Sequence, residues 1–298
     1  MRTRRTALMG DWAIVTVVSL LKYHALGNDF LVFLDPSDVP GTDAVESDFV
    51  VAVCDRHRGV GADGILVARP AASDGGLPTA DVRLELRNAD GGRAETSGNG
   101  LCCLALALVD AGVVTGPDVL VGTDAGLRRV SVVERTGYGA ATVRTEMGTI
   151  EVGSAELVPL LGPGFEARHV DAGNPHLVLV GMSLDDVDIV DIGRSLEGAR
   201  QGGQNVEVIA PDGTGGLDLL VWERGAGLTE ACGTGSCAAA ATARALGLVG
   251  DRVEVHNPGG TLVVELSGDA LAPAACLSGP VHYVMRADIV PSAIDVLA

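Results

Sequence analysis

Two short stretches of this chain read as copies of one device. Ser97-Gly98-Asn99-Gly100-Leu101-Cys102 and Cys232-Gly233-Thr234-Gly235-Ser236-Cys237 each run straight into a segment rich in alanine and leucine. Their lead residues are 135 positions apart. Gly27-Asn28-Asp29-Phe30 answers to Gly173-Asn174-Pro175-His176, 146 positions on, and Leu86-Arg87-Asn88 resembles Trp222-Glu223-Arg224. This recurrence restricts the chain to a duplicated fold in which each half presents one small nucleophilic side chain at a helix N-terminus. In the second half that side chain is the thiol of Cys232, and in the first only the hydroxyl of Ser97.

The pattern between these landmarks is mixed. Short apolar or alternating runs predict strands at 14–23, 31–34, 65–68, 82–87, 119–122, 130–134 and 141–146, and again at 167–171, 177–180, 206–209, 217–223, 253–256 and 261–266. Helical spacing predicts helices over 48–57, 99–110, 187–195 and 236–246. The expected fold class is α/β (α+β), with two similar, pseudo-symmetric domains, each a sheet wrapped around a central helix. The expected boundary is near Met147-Gly148: residues 1–147 form the N-terminal half and 148–281 the C-terminal half. A last strand, about 282–298, is expected to return to the first half.

Composition removes several function classes. A net charge of −18 repels nucleic acid and anionic membrane surfaces. Lys22 is the only lysine and sits at a strand edge, which leaves no lysine for pyridoxal or Schiff-base chemistry. The six cysteines follow no secreted framework spacing, and the six histidines lack metal-ligand spacing. No metal and no cofactor are expected. With Asp11 interrupting the approach and no small-x-small cleavage site, the N-terminal segment reads as a ragged leader into the first strand. A cytoplasmic protein with reduced thiols is expected. Gly59-Val60-Gly61-Ala62-Asp63-Gly64 is a literal GxGxxG, but a helix precedes it and a strand follows, the reverse of a dinucleotide site. It reads as a tight turn.

A thiol at a helix N-terminus meets unpaired backbone N–H groups and the positive end of the dipole, so Cys232 is expected to have a lowered pKa. The amides of Gly233 and Thr234, and of Gly98 and Asn99 in the other half, can hold a carboxylate. Two such ends facing one small anion would put one acid/base group on each face of its α-carbon, as stereoinversion requires. Taken singly, Asn28, Asn88 and Asn174 beside Gly or Pro could be turn residues, and Glu223 and Arg224 a strand-end ion pair. Their recurrence in both halves points to a site.

Several blocks together carry a family resemblance: His24-Ala25-Leu26-Gly27-Asn28-Asp29-Phe30, Asp55-Arg56-His57-Arg58-Gly59-Val60-Gly61-Ala62-Asp63-Gly64, Arg87-Asn88-Ala89-Asp90-Gly91, Gly173-Asn174-Pro175-His176 and Glu223-Arg224-Gly225-Ala226-Gly227. From about residue 22 to 290 the chain resembles diaminopimelate epimerases, the pyridoxal-independent isomerases of lysine and peptidoglycan precursor synthesis. The resemblance implies that Cys232 is one catalytic thiol, that His176 and Glu223 tune the catalytic groups, and that Asn28 holds the reacting end of the amino acid. It implies that Asn88, Asn174, Asn205 and Arg224 grip the distal amino and carboxylate groups. It also implies a small amino-acid substrate, with a homodimer expected because relatives are often dimers.

The departure from the family falls on the chemistry. The second catalytic cysteine aligns with Ser97, and Leu228 stands where an acidic residue is usual. A thiol titrates near 8.5, whereas an alkyl hydroxyl, closer to water, ionises only far above that. Four readings stay open. Ser97 relays a proton in a working epimerase, marks a changed reaction such as elimination from a 3-hydroxy amino acid, belongs to a binding paralogue, or is an introduced substitution.

Overall fold

The computed structural model describes residues 17–34, 46–71, 80–94, 97–124, 126–156, 166–181, 183–185 and 187–290. The first half contributes β1 (Val18–Ala25), β2 (Asn28–Phe33), α1 (Ser47–Cys54), β3 (Gly64–Pro70), β4 (Val82–Asn88), α2 (Gly98–Asp110), β5 (Asp118–Thr123), β6 (Gly126–Gly137) and β7 (Ala140–Thr149). There follow β8 (Glu151–Glu156), β9 (Glu166–Asp171), β10 (Pro175–Val180), α3 (Ile189–Leu196), β11 (Asn205–Pro211), β12 (Leu217–Glu223), β13 (Gly227–Leu228), α4 (Gly233–Ala245), β14 (Arg252–Asn257), β15 (Gly260–Gly268) and β16 (Pro273–Ile289).

The fold is mixed α+β, and the repeat seen in sequence is a repeat of topology. In the first ring the order β1-β2-β3-β4-β5-β6-β7-β16 closes on itself, because β16 also pairs with β1. The second set runs β16-β15-β14-β12-β11-β10-β9-β8. It is drawn toward closure where Ile150 and Val152 donate backbone hydrogen bonds to Pro273 and Leu271. Each half has two parallel pairs at matching places: β2 with β3 and β10 with β11, then β4 with β5 and β12 with β14. A parallel pair needs a crossover. The crossovers carry α1 and α3 on the outside and α2 and α4 through the middle.

Why those two helices run through the middle is legible in their residues. From Leu101 to Leu108 every side chain of α2 is buried, and so is every one from Gly233 to Ala243 in α4. A helix apolar all round must be enclosed. The run Ala238-Ala239-Ala240-Ala241 lets the second sheet close tightly on α4. Long β16 serves both halves: Ala274–His282 pairs with β7, and His282–Ile289 with β1.

Boundaries differ from the sequence expectation at helix ends. The helix expected over 48–57 stops at Cys54, because the Asp55 carboxylate accepts from the backbone N–H of His57 and Arg58 and turns the chain. The one expected from Ser236 begins three residues earlier, at Gly233, since Cys232 itself is the N-cap. The strand expected over 14–23 is seen as β1, and residues 14–16 lie outside the described residues. The GxGxxG segment is the turn from α1 to β3, with Gly61 at φ +80°, where a Cβ would press on the Arg56 backbone. Among the described residues no helix is long and apolar enough to cross a membrane.

Candidate active site

The two repeated loops meet head to head. A Cβ placed on Gly98 would lie 3.2 Å from Cα of Gly233, and one on Gly233 would lie 3.0 Å from Cα of Gly98 and 3.3 Å from N of Asn99. Only glycine at both positions lets the N-termini of α2 and α4 approach this closely. The Asn99 amide locks the junction across the halves, donating to the Ala231 carbonyl at 3.1 Å and to Asn28 Oδ1 at 3.3 Å.

Each lead residue caps its helix. Ser97 Oγ accepts from Gly100 N at 3.0 Å, and Cys232 Sγ from Gly235 N at 3.2 Å. Both are extended in backbone, as an N-cap must be. The remaining first-turn N–H groups give each end a partial positive charge suited to an anion. In a chain of net charge −18, these two dipole ends supply local attraction for a carboxylate.

Beneath the caps the halves diverge. On the second-half side, His176 is wholly buried and sets Nδ1 against Glu207 Oε1 at 2.7 Å. Its Nε2 lies 2.8 Å from Asn174 Oδ1 and 3.4 Å from Asn205 Nδ2. Asn174 Nδ2 donates to Thr234 Oγ1 at 3.4 Å, and that hydroxyl lies 3.5 Å from Cys232 Sγ. Glu223 is partly buried, receives the Thr229 hydroxyl at 2.6 Å, and interacts electrostatically with the Cys232 thiol. On the first-half side the matching positions are apolar. Phe30 takes the place of His176, and Leu66 that of Glu207. A Cβ on Gly100 would meet Leu66 Cδ2 at 3.1 Å, and one on Gly235 would meet Glu207 Oε1 at 2.7 Å.

The expected lowering of the Cys232 pKa is overturned. Burial pushes this thiol well above its ordinary value, and the neighbouring carboxylates Glu223 and Glu207 push it the same way. The Thr234 and Gly235 hydrogen bonds pull in the opposite direction without prevailing. A helix dipole is worth at most about 2 kcal/mol, less than burial in a site closed by two helices and two carboxylates. Burial likewise raises Glu223 from 4.5 to about 7, which makes it a proton carrier near neutrality.

That shift has a consequence for stability. A carboxyl that holds its proton more tightly in the folded chain costs nothing below pH 4.5. The cost grows as pH rises and is fully developed above about 7, where it approaches about 3 kcal/mol. Stability measured by urea titration is expected to fall across this window, and Glu223→Gln to flatten the fall. An equally steep curve in the variant would assign the loss to other groups.

The other sequence-chosen residues divide. Asn28 is brought to the junction: its Nδ2 donates to Asp63 Oδ2 at 3.0 Å while its Oδ1 meets Asn99. Asp63 and Asp29 are held by Arg56, and Asp29 also by Lys22. Asn205 spends its amide internally, accepting from Arg224 N at 2.9 Å and donating to the Pro175 carbonyl at 3.4 Å. It shapes the turn that carries Arg224, whose Nη1 donates to the Gly202 carbonyl. Asn88 ends β4 in a loop whose Asp90 approaches Gly225, so the Asn88 and Arg224 loops are neighbours. Leu228 is exposed in β13 opposite Trp222, and nothing in the structure explains its departure from the family. Cys102 and Cys103 are buried in α2, away from the loop.

Sequence reasoning missed Glu207 and Asp63 as members of the site. A carboxylate inside the apolar run Val206-Glu207-Val208-Ile209 was the available signal for the first, since such a charge is not buried without a partner.

A family model described as diaminopimelate epimerase matches residues 20–152 and 168–284. The chain belongs to the diaminopimelate epimerase family. It is 36% identical to the diaminopimelate epimerase of Desulforudis audaxviator over 286 residues, covering 88% of this chain and 96% of that one. It is also 36% identical to that of Corynebacterium glutamicum over 283 residues, covering 91% and 98%. Among solved structures, a probable proline racemase from Agrobacterium radiobacter shares the fold at a TM-score of 0.70 and 19% identity, covering 92% of this chain and 93% of that one. Membership makes the protein an amino-acid isomerase.

Proposed function

We propose that this protein inverts the α-carbon of LL-diaminopimelate to give meso-diaminopimelate, without a cofactor, in the cytoplasm. The observation that supports the reading is the contact of Gly98 with Gly233, which brings together the N-termini of α2 and α4 that Ser97 and Cys232 cap. The substrate α-carboxylate docks on the two helix ends, where backbone N–H groups stabilise the charge that develops as the α-carbon loses its proton. Cys232 thiolate removes that proton on one face. The Ser97 hydroxyl delivers a proton to the other face and is reprotonated from solvent. His176 and Glu223 tune the thiol. Asn28 holds the reacting end, and Asn88, Asn174, Asn205 and Arg224 form the distal side, where a guanidinium can grip the second carboxylate bidentately.

The apolar Phe30 and Leu66 beneath Ser97 favour a second reading in which only the Cys232 face does proton chemistry, as in elimination from a 3-hydroxy amino acid. Proton NMR of LL- and meso-diaminopimelate with the protein in D₂O separates the two. Deuterium entering the α-position with inversion is the expected result. Silence with both isomers would sink the diaminopimelate reading.

A further inference from the structure

The polar chain behind Cys232 has a single buried origin. Glu207 is wholly enclosed, on the middle of β11, where its sequence neighbours are Val206 and Val208. Its Oε1 engages His176 Nδ1, and its Oε2 has no hydrogen-bond partner. Nε2 of the same ring faces Asn174 Oδ1 at 2.8 Å, with Asn205 Nδ2 at 3.4 Å from it, so the orientation of the Asn174 amide depends on how Glu207 holds the ring. With its oxygen so committed, Asn174 presents an N–H to Thr234 Oγ1. A hydroxyl that already accepts there is free to donate toward Cys232 Sγ. The ionisable groups about Glu207 are His176 from β10, Glu223 from β12 and Cys232 at the cap of α4.

The first half shows what the same architecture does without this device. Leu66 and Phe30 occupy the matching places, and Asn28 is oriented instead by Asp63, which lies on the turn before β3. The equivalent asparagine is thus held through its Nδ2 by a carboxylate in the first half and through its Oδ1 by an imidazole in the second.

We propose that Glu207 is a positioning residue for the Cys232 face of the cleft, orienting His176, Asn174 and Thr234 so that the threonine hydroxyl addresses the thiol. It leaves the Ser97 face untouched. This rests on the proton transfer by Cys232 proposed above, and it predicts that losing Glu207 harms one face of the substrate and not the other.

The test uses the full chain with Glu207→Leu, which copies the first half, and Glu207→Gln, which keeps a hydrogen-bonding group and guards against misfolding. Two readouts are taken: initial deuterium entry into each diaminopimelate stereoisomer in D₂O, and alkylation of Cys232 by iodoacetamide against pH, located by peptide mass spectrometry. Glu207→Leu is expected to slow exchange about tenfold or more from the isomer that presents its α-hydrogen to Cys232, the loss of one hydrogen bond to a charged group, with Glu207→Gln restoring most of it. The alkylation midpoint is expected to move to lower pH in both variants as the anionic oxygen leaves. Equal slowing of both isomers with an unmoved midpoint would reduce Glu207 to a packing residue and overturn the proposal. If the native chain exchanges neither isomer, the diaminopimelate reading fails and the alkylation midpoint alone decides the role of Glu207.

Discussion

Ser97→Cys is expected to raise the rate of epimerisation by a factor of about 10² to 10⁴, the usual worth of a well-placed acid/base group. The present hydroxyl sits at a helix cap and accepts from Gly100 N, so the position is built for an anion-stabilised side chain. The hydroxyl nonetheless serves poorly as an acid/base group: it ionises roughly 6 units above a thiol, so almost no alkoxide is present at rest to take a proton. A thiol placed there would keep the cap, as Cys232 does with Gly235 N in the second half. The gain should fall short of full symmetry, because Phe30 and Leu66 offer the new thiol no proton partner. Stopped assays with each stereoisomer, in both directions, measure the effect. No gain from a folded Ser97→Cys protein would mean that the first-half face contributes no proton to the reaction.

Cys232→Ala should abolish turnover, with a loss of about 10³-fold or more, since one face of the substrate then has no group able to take a proton. Removing the cap acceptor also orphans Gly235 N and costs about 1 kcal/mol of stability. Cys232→Ser separates these effects: the hydroxyl retains the cap while the base is lost, so its stability should stay near native and its activity should not. The exchanged pair, Ser97→Cys with Cys232→Ser, carries one thiol as before but on the face without His176 and Glu207. Its exchange rate is expected to lie below that of the native chain. A rate equal to native would show that the polar chain behind Cys232 has no part in proton transfer.

The duplication was legible because it is written in residues that local geometry cannot do without. Glycines follow each cap, alanine and leucine fill each enclosed helix, and the same turn asparagines precede the same strands. The expectation of one central helix in each half followed from these. Helix ends were less legible, since Asp55 and Cys232 act through side-chain bonds to backbone that no hydrophobic period records. The pKa of Cys232 was misread for a related reason. The dipole at a helix N-terminus can be inferred from sequence, whereas the burial and the two carboxylates that outweigh it come from other strands.

By itself the sequence determined the two-fold plan, the pair of cap residues, their unequal chemistry and the family. Those features depend on short-range order: which residue begins a helix, which glycine follows it, which group can ionise at all. Tertiary structure alone decided that Gly98 and Gly233 touch, that Asn99 ties one half to the other, and that Glu207 reaches the thiol of Cys232 by way of His176, Asn174 and Thr234. The positions along that polar chain are separated by up to 60 residues in sequence. They meet because β10 and β11 lie parallel beneath α4, and only that packing places a carboxylate, an imidazole and a thiol in one buried enclosure.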